Sequence, residues 1–429
     1  MIWLYRILFL PMMALLMPYY AMRMIRRGGY GRDFSHRLGF QKNLPEPAQG
    51  KIRIWIQAVS VGEVEALATL LKLLHSDGGY EVVVTTTTST GYKILREKYA
   101  KYCYYVGIFP FDFCLSNASA WRRLKPNMCV LMEGELWPEH LHRAKSKNVP
   151  LLLLNARLSD RSFGRYSKAK FFARRLFNKF CAIACGSDFD AERFLKLGAN
   201  PEIVSATGNI KFDSSCAQKL SAAEKAELKK EFGFNENSVV MLGSSTWQGE
   251  EQMLVRALEK IRQASGADVR LLLVPRHAER RAQVREVLER GVLAFNFRTE
   301  NKCAGEGTLV YVADTTGELA RLTQAADFAY IGKSMPPNDG GQSPLDCAAA
   351  GVAVVYGPNM TNFKRMCEAL EEAGAALKAQ NEAEALEALL AMAKDENLRR
   401  KIGEAARAWH ERNEGASLRT FEIIKKFSR

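Results

Sequence analysis

The chain has 429 residues, of which 47% are hydrophobic and 25% are charged, and its formal net charge is +14. These values are typical of a folded globular protein of about two domains, and they exclude a disordered chain. The excess of cations favours a polyanionic partner, such as an anionic membrane surface, an anionic substrate or a nucleic acid. Since the sequence has no zinc-finger or RNA-binding aromatic motif, we expect no nucleic-acid partner.

Metal and disulfide chemistry have little support in the sequence. The nine cysteines are scattered without a C-x-x-C pair, and the six histidines include no H-E-x-x-H motif. This pattern predicts a reducing compartment and no metal site. His140 and His142 have the spacing of a metal pair, but two polar residues on an exposed helix face are the more common explanation.

The N-terminal segment differs from the rest of the chain. An uncharged apolar run, "ILFLPMMALLMPYYAM", fills residues 7–22 and is followed by Arg23, Arg26 and Arg27. The run is shorter than the roughly 20 residues that span a bilayer upright, so the segment either spans the membrane or lies in its interface. A buried core helix is the alternative. We expect residues 1–27 to be a membrane anchor, with the following arginines on the cytoplasmic side.

The segment "IRIWIQAVSVGEVEA", residues 52–66, joins a mostly apolar strand to the start of an amphipathic helix. Ser60 and Glu63 between them have the Ser-x-x-Glu spacing of a capping box, in which both side chains satisfy free backbone N–H groups. A carboxylate at the end of a strand is also a candidate general base. The residues of this segment leave both interpretations open, and the cap is the more frequent of the two.

Apolar strands alternate with amphipathic helices through most of the chain, as in a doubly wound parallel sheet. In the first series, strands are predicted at Ile52–Val59, Glu81–Thr86, Met128–Met132, Pro150–Leu154 and Ala182–Cys185. A second series runs through "SVVMLGSST", "VRLLLVP", "LVYVAD", "FAYIG" and "VAVVYG". We therefore predict α/β domains at residues 28–212 and 213–405, followed by a charged helical segment at residues 406–429.

Titratable residues follow several of these strands. Ligands of parallel sheets bind at the carboxyl ends of the strands, so polar residues at those ends are candidate site residues. Each alone is most often a cap or a surface residue, but together they predict a cleft between two domains. These residues are Glu63, Glu133, Lys211, Arg276, Glu318 and Asp346.

Two glycine-containing loops have the pattern of a helix start. In "GGQSPLDCAAAG", Ser343 is the predicted N-cap, Pro344 the first helical residue and Gly351 the helix end. In "ADTTGEL", the predicted cap is Thr315 or Thr316. A nucleotide phosphate could bind the free N–H groups of either helix start. Neither loop matches a Walker A or G-x-G-x-x-G motif.

A D-x-D motif occurs at residues 188–190, and in one large class of sugar transferases this motif binds a divalent metal. Here it follows Ser187 and opens the helix "AERFLKLG". Serine and acidic residues are favoured at the start of a helix, so we expect a structural function for this motif.

A longer series of motifs occurs in one order along the chain: "AVSVGEVEA", "TTTTSTG", "MEGELWP", "LLNARLSDRS", "GNIKFD", "SSTWQGEE", "LVPRHAER", "DTTGELARL" and "GGQSPLDCAAAGVAVVYGPNMTNF". With these motifs the chain resembles the 3-deoxy-D-manno-oct-2-ulosonic acid (Kdo) transferases of lipopolysaccharide biosynthesis, as far as about Phe363. The resemblance implies an α/β fold of the GT-B type, with two Rossmann-like domains facing across a cleft and an N-terminal membrane-anchoring segment. It also implies a protein at the cytoplasmic face of the inner membrane.

The resemblance assigns catalytic functions to three residues. Glu63 matches the general base of the family, and Glu133 and Lys211 match positions that stabilise the transition state. The implied reaction transfers Kdo from CMP-Kdo to the lipid A precursor (lipid IVA) with inversion, and it needs no metal or other cofactor. The number of Kdo residues that are added stays open.

The resemblance also assigns contacts to the cytidine nucleotide. Those contacts fall on Pro275, Arg276, Thr316, Gly317, Glu318, Ser343, Pro344, Leu345 and Asp346. The last of these loops usually reads Asn-Pro-Leu-Glu after a histidine. Gln342, Ser343 and Asp346 depart from that pattern, and the shorter Asp346 puts the exact ribose contact in question.

The acceptor side and the alternatives are less specific. The segment "YSKAKFFARRLFNKF", residues 166–180, places five aromatic or aliphatic residues among five cations. It is either an interfacial helix on the acceptor side, next to anionic lipid, or a core stripe with a solvated basic face. The alternatives to Kdo transfer are a membrane-bound GT-B enzyme that uses a UDP sugar, and a non-catalytic protein that binds anionic lipid.

Overall fold

The computed structural model describes residues 2–26, 31–214, 219–291 and 293–428. The chain divides into two compact units: Met1–Ser214 with Glu414–Arg429 form the first, and Ser215–Asn413 form the second. Met1 and Arg27 of the predicted anchor lie outside the described residues, as do the side chains of Arg23 and Arg26.

In the part of the chain that the structure describes, the first unit is an α/β unit with a sheet of seven strands. Its strands are β1 (Ile52–Ala58), β2 (Tyr80–Thr86), β3 (Tyr105–Ile108), β4 (Met128–Met132), β5 (Leu151–Ala156), β6 (Ala182–Cys185) and β7 (Val204–Ala206). Its helices are α1 (Ile2–Arg26), α2 (Val61–Ala66), α3 (Ala68–Asp77), α4 (Ser89–Ile94), α5 (Cys114–Leu124), α6 (Pro138–Ser146), α7 (Asp160–Lys168), α8 (Lys170–Phe177), α9 (Asp188–Lys196) and α10 (Lys211–Ser214), and the chain ends in this unit with α19 (Ala416–Lys426).

The described residues of the second unit also form a sheet of seven strands. They are β8 (Val239–Thr246), β9 (Val269–Pro275), β10 (Phe295–Phe297), β11 (Val310–Val312), β12 (Phe328–Ile331), β13 (Ala353–Tyr356) and β14 (Ala376–Lys378). Its helices are α11 (Ala222–Glu231), α12 (Glu250–Ser265), α13 (Arg281–Glu289), α14 (Leu319–Leu322), α15 (Leu345–Ala350), α16 (Lys364–Glu372), α17 (Glu382–Lys394) and α18 (Glu396–Asn413).

All strand pairs in the first sheet are parallel, in the order β3-β2-β1-β4-β5-β6-β7. Ile54 of β1 pairs with Val82 on one side and with Met128 on the other. Helices cover both faces of such a sheet, which is why its central strands are continuous apolar runs. The strand order reverses between β1 and β4, and the crevice at that point is where open α/β sheets bind ligands.

The second sheet is also parallel, in the order β10-β11-β9-β8-β12-β13-β14. Its order reverses between β8 and β12. The prediction of two Rossmann-like α/β domains is therefore confirmed. The strands that the sequence pattern missed are β3, β7, β10 and β14, which lie at sheet edges and have only three or four residues each.

The C-terminal part of the chain belongs to both units. Helix α18 ends the second unit, whereas α19 packs into the first, where Phe421 and Ile424 join the core that contains Leu70 and Leu71. The carboxylate of Asp213 accepts the backbone N–H of Gly415 at 2.7 Å and thereby fixes the start of α19. The segment predicted at residues 406–429 is thus two helices with different partners.

Helix α1 has 25 residues and contains Pro11 and Pro18. Many of its apolar side chains are exposed, including those of Trp3, Leu4 and Ile7. In the described part of the chain, no helix combines the length and the apolarity that crossing a membrane requires.

Candidate active site

Glu63 lies at the third position of α2, directly after β1. Its carboxylate accepts the N–H of Val59 and the hydroxyl of Ser60, each at 2.9 Å, while Ser60 Oγ accepts the N–H of Glu63 at 3.4 Å. The capping function that the sequence indicated is therefore present. The side chain is 6% exposed. Burial raises the pKa of Glu63, and the charge of Glu133 raises it further, against the opposing effects of Val59, Ser60 and Lys211.

Glu133 follows β4, which is the strand next to β1 at the reversal of strand order. Its backbone has φ +55°, a conformation that costs free energy for a residue other than glycine. Its N–H donates to the carbonyl of Leu154 at 2.9 Å, and this bond holds the turn against β5. Residues in rare backbone conformations are typical of functional sites, where the surrounding structure fixes them.

Two cations neutralise the Glu133 carboxylate. Lys211 Nζ lies 2.8 Å from Oε1, and Arg157 Nη2 lies 2.6 Å from Oε2. Burial alone would raise the pKa of Glu133, but Arg157 and Lys211 together lower it. The structure thus brings Glu133 and Lys211 together and keeps Glu133 ionised, with Glu63 within electrostatic reach of both.

Lys211 is the first residue of α10, and the turn before it is held by two asparagines. Asn209 Oδ1 accepts the N–H of Lys211 at 3.1 Å. Asn155 Oδ1 accepts the N–H of Ile210 at 3.2 Å, and Asn155 itself has φ +51° at the end of β5. The ammonium group is therefore carried by a turn that two asparagine side chains fix in place.

Arg157 and Glu135 were not identified from the sequence, although both belong to motifs that occur in it, "LLNARLSDRS" and "MEGELWP". Arg157 shares the Glu133 carboxylate with Lys211, as described above. Burial raises the pKa of Glu135 to about 7, and the neighbouring charges of Glu63 and Glu133 contribute. The first unit therefore has three acidic side chains in one electrostatic cluster. Sequence analysis could have identified Arg157 and Glu135 by considering every titratable residue within these two motifs.

In the second unit, Pro275 ends β9 and Arg276 follows it. The N–H of Arg276 donates to the carbonyl of Thr246 at 3.1 Å, so the β8 and β9 ends are joined at this point. The side chain of Arg276 is exposed, and it forms no ion pair with any described residue. A guanidinium in this position can take a phosphate group.

Glu318, in contrast, already has strong partners. Arg298 binds its two carboxylate oxygens at 2.9 and 2.8 Å, and Thr315 Oγ1 donates to the same carboxylate. The hydrogen bond from Arg298 is the main reason why the pKa of Glu318 is lowered. Arg298 also pairs with Glu231. The Glu318 carboxylate is thus held by Arg298 and Thr315 within its own loop. Sequence reasoning missed Arg298, because no local pattern links it to Glu318.

The predicted helix starts in these loops are shifted. Helix α14 begins at Leu319 with Glu318 at the cap position, so neither Thr315 nor Thr316 caps it. Helix α15 begins at Leu345 with Pro344 at the cap position, and Ser343 Oγ accepts the N–H of Leu345 at 3.3 Å. Pro344 fixes its own φ but lacks an N–H, so the first helical N–H belongs to Leu345. Gly351 ends the helix with φ +71°, as predicted.

Lys333 is another residue that sequence reasoning missed. It follows β12 with φ +60°, and its carbonyl accepts the N–H of Gly341 at 2.9 Å. Its ammonium lies 5.1 Å from the centre of the Trp247 ring. A side chain at Gly340 would come within 3.3 Å of that ammonium. The cation therefore lies beside the glycines that precede Ser343 and Asp346.

Buried Glu250 organises the same turn. Its carboxylate accepts the N–H groups of Trp247, Lys333, Ser334 and Met335 at 2.7 to 3.2 Å. Burial raises the pKa of Glu250, and these N–H donors oppose that effect. The turns after β8 and after β12, which flank the reversal in strand order, are thus tied to one carboxylate.

The D-x-D motif lies at a helix start, and His140 of the histidine pair lies in the core. Ser187 caps α9, and the Asp190 carboxylate accepts the hydroxyl of Ser187 at 2.6 Å and the N–H of Leu158 at 3.2 Å, as expected for a helix start. The prediction of an exposed His140 was wrong, because its ring is buried and Nδ1 accepts the indole N–H of Trp121 at 3.2 Å. Among the described residues, no group of three or more His, Cys, Asp or Glu side chains is placed to hold a metal ion.

Comparisons with known proteins agree with this architecture. Residues 32–214 match the family of 3-deoxy-D-manno-octulosonic-acid transferases (kdotransferases). The 3-deoxy-D-manno-octulosonic acid transferase of Haemophilus influenzae is 29% identical over 99% of this chain and 98% of its own length. The structure of S. aureus MnaA with UDP has a TM-score of 0.57 at 15% identity, and it covers 88% of this chain and 96% of its own. That structure supports the two-unit fold alone.

The relative from Bordetella pertussis gives the family. This 3-deoxy-D-manno-octulosonic acid transferase is 30% identical, and the match covers 93% of each chain. A match of that length spans both α/β units and the loops that carry the candidate site residues. The chain therefore belongs to the 3-deoxy-D-manno-octulosonic acid transferase family, and it is a glycosyltransferase.

Proposed function

We propose that this glycosyltransferase moves Kdo from CMP-Kdo to a hydroxyl group of the lipid A precursor, lipid IVA, with inversion at the anomeric carbon. The observation that carries the proposal is the environment of Glu63. This carboxylate is buried and has a raised pKa, and it lies within electrostatic reach of the Glu133–Lys211 pair. A carboxylate whose pKa is raised toward neutrality is suited to general base catalysis.

In the proposed step, Glu63 accepts the proton of the acceptor hydroxyl. The hydroxyl oxygen forms a bond to the anomeric carbon of Kdo, and CMP leaves with the electron pair of the bond that breaks. A carboxylate has about four lone-pair positions. Val59 and Ser60 occupy two of them, so the carboxylate can accept a further proton without losing its place in α2.

Glu133 and Lys211 are proposed to stabilise the transition state. Lys211 supplies a cation for the negative charge of the donor, and Glu133 holds that ammonium at 2.8 Å. Such a fixed charge stabilises developing charge without further reorganisation. Arg157 on the other oxygen of Glu133 keeps the carboxylate oriented, which supports a function for Arg157 as a positioning residue.

The second unit is proposed to bind the cytidine nucleotide. Arg276, which has no ion pair among the described residues, is suited to the phosphate of CMP. Pro275, Thr316, Gly317 and the loop of Ser343, Pro344, Leu345 and Asp346 are proposed to contact the nucleoside. Glu318 is proposed to shape its loop, because Arg298 and Thr315 occupy its carboxylate. The proposed reaction needs no metal ion.

The acceptor is amphipathic, so we propose that the enzyme works at the cytoplasmic face of the inner membrane. The exposed apolar side chains of α1, such as Trp3 and Ile7, support attachment to a bilayer. The net charge of +14 supports attraction to anionic lipid.

The test is a transfer assay with CMP-Kdo and lipid IVA, in which mass spectrometry counts the Kdo residues on the product. Product that forms in the presence of EDTA and is lost in the Glu63→Gln variant supports the proposal. A UDP-sugar enzyme would be stabilised against heat by UDP and not by CMP. A lipid-binding protein without activity would give no product with any donor, and either result contradicts the proposal.

A further inference from the structure

A cavity of about 530 Å³ lies in the first unit, at the start of α1 and beside α6 and α8. This volume is in the range of small-molecule pockets. Ile2, Tyr5, Phe172 and Leu176 contribute apolar wall, and Arg175 and Lys179 contribute cations. We name this cavity the α1–α8 pocket. It is lined by residues of a predicted anchor and of a predicted interfacial helix, and neither prediction included a pocket.

The start of α1 is fixed to the rest of the unit by polar contacts. Tyr5 donates its hydroxyl to Asp112 at 2.9 Å, and Arg6 binds both carboxylate oxygens of Glu139 at 2.8 Å. The side chain of Glu139 is fully buried. Breaking a buried ion pair of this kind strongly destabilises a protein, because it leaves an uncompensated charge. The wall that Ile2 and Tyr5 provide is therefore a fixed part of the first unit.

Helix α8 has one face in the core and another face open to the pocket. Ala173 and Phe177 belong to the buried core, whereas Phe172 is 52% exposed. The sequence left an interfacial helix and a core stripe as alternatives. Ala173 and Phe177 form a core stripe, and the interfacial position of the exposed face stays a prediction. Phe172 and Arg175 both line the pocket, and the guanidinium of Arg175 lies 4.3 Å from the centre of the Phe171 ring.

Among the described residues, no carboxylate pairs with the cations Arg175 and Lys179 of the pocket. Neither Arg175 nor Lys179 has a described carboxylate within 4.0 Å. Glu139 is nearby, but Arg6 and Arg143 already pair with it. Burial lowers the pKa of Lys179 by more than the charge of Glu139 raises it, which indicates that the ammonium is partly desolvated without a full counter-charge. A cavity with apolar walls and such cations is complementary to an anion attached to a hydrocarbon chain.

The pocket also lies close to the candidate catalytic residues along the chain. Pro138 in its wall is five residues after Glu133, with Glu135 between them. Five residues span at most about 18 Å even when they are fully extended. A ligand that reaches from the pocket to Glu133 therefore has to bridge only that distance.

We propose that the α1–α8 pocket binds an acyl chain of the acceptor, with Arg175 and Lys179 facing a phosphate group of the same molecule. This proposal rests on the proposed function for the identity of the acceptor. It changes the function of α1, which then supplies one wall of the substrate site in addition to any contact with the membrane.

The first test measures binding of dodecyl phosphate to the full chain by calorimetry, below the micelle concentration of the probe. Arg175→Glu and Phe172→Asp should each weaken binding at least tenfold. Arg174→Glu is the matched control, because its side chain packs against Gly198 and does not line the pocket. It should leave the affinity within about twofold of the parent, and thermal melts check that all three variants fold.

Three results would overturn the proposal: no binding of dodecyl phosphate to the parent, equal binding to all variants, or displacement of the probe by inorganic phosphate at the same concentration. The last result would mean that the hydrocarbon chain of the probe contributes nothing to binding.

A transfer assay then separates this proposal from the proposed function. With lipid IVA as acceptor, Phe172→Asp should raise KM at least tenfold, whereas its kcat/KM for a deacylated acceptor, which lacks the chain that Phe172 contacts, should stay near the parental value. A parent that transfers Kdo to neither acceptor contradicts the proposed function alone, and the dodecyl phosphate result still decides the pocket.

Discussion

Lys211 Nζ lies 2.8 Å from Glu133 Oε1, although 78 residues separate the two along the chain. With Arg157 on the other oxygen, this contact lowers the pKa of Glu133 against the effect of burial. Glu63 instead accepts its hydrogen bonds from the neutral donors Val59 and Ser60, and its pKa is raised. The pKa values of these two neighbouring carboxylates are thus shifted in opposite directions. Such a difference allows one carboxylate to act as a base while the other stays ionised as a fixed charge.

The two functions of Glu63 can be separated by one substitution. Glutamine serves in a capping box nearly as well as glutamate, so Glu63→Gln should cost about 0.5–1 kcal/mol of unfolding free energy. A neutral amide cannot accept a proton, and kcat should fall by roughly 10²–10⁴-fold. Steady-state kinetics with saturating substrates and a urea titration measure the two effects. More than about a third of parental turnover in this variant would leave Glu63 with the cap alone.

The pH dependence should respond in opposite directions to the two partners of the ion pair. The base must be ionised, so kcat/KM rises with pH through the raised pKa of Glu63. Glu133→Gln removes a negative neighbour, so the pKa of Glu63 should fall and the acidic limb should move to lower pH. Lys211→Gln removes a positive neighbour and should move that limb to higher pH.

We expect both variants to have a lower kcat/KM than the parent. The pH at which the acidic limb of the profile lies does not depend on the maximal value of kcat/KM, so the two limbs can still be compared. Profiles of kcat/KM from about pH 5 to pH 9 give the comparison. Equal shifts in one direction, or an unmoved limb in both variants, would contradict the placement of Glu63 beside this pair.

Arg276→Ala should weaken CMP binding without loss of stability. A hydrogen bond to a charged group contributes about 1.5–3 kcal/mol, so the affinity for CMP should fall by roughly 10- to 100-fold. Because Arg276 is exposed and has no ion pair among the described residues, the melting temperature without ligand should stay near the parental value. Arg290→Ala is the control, since Arg290 pairs with Glu286 on the surface. An unchanged CMP affinity in Arg276→Ala would remove Arg276 from the site.

Arg298→Met should have the opposite profile, with a large loss of stability. Arg298 is 7% exposed and pairs with Glu231 and Glu318, so its removal leaves two carboxylates without their cation. Loss of one partner of a buried ion pair typically costs about 3–5 kcal/mol. Chemical denaturation measures the loss, and CMP titration of the folded variant reports on the Thr316–Gly317 turn. A loss below about 1 kcal/mol would mean that the network does not stabilise the fold, and an unchanged CMP affinity would mean that it does not position the loop.

Much of the secondary structure followed from the sequence alone. The strands at Met128–Met132 and Ala182–Cys185 were predicted at their observed bounds, because a strand that is buried on both faces is a continuous apolar run. The Ser60–Glu63 cap was predicted because both partners lie within four residues of each other. In both cases the signal is local.

The tertiary structure decided which distant side chains meet. The sequence placed Glu133 and Lys211 at strand ends, but their contact depends on the strand order, which brings the ends of β4 and β7 to one edge of the sheet. The same reason applies to Arg298 on Glu318, and to α19, which leaves the second unit to pack in the first. The crossover connections and the burial of the side chains determine the partners in these contacts. A periodic pattern within one segment contains no information about either.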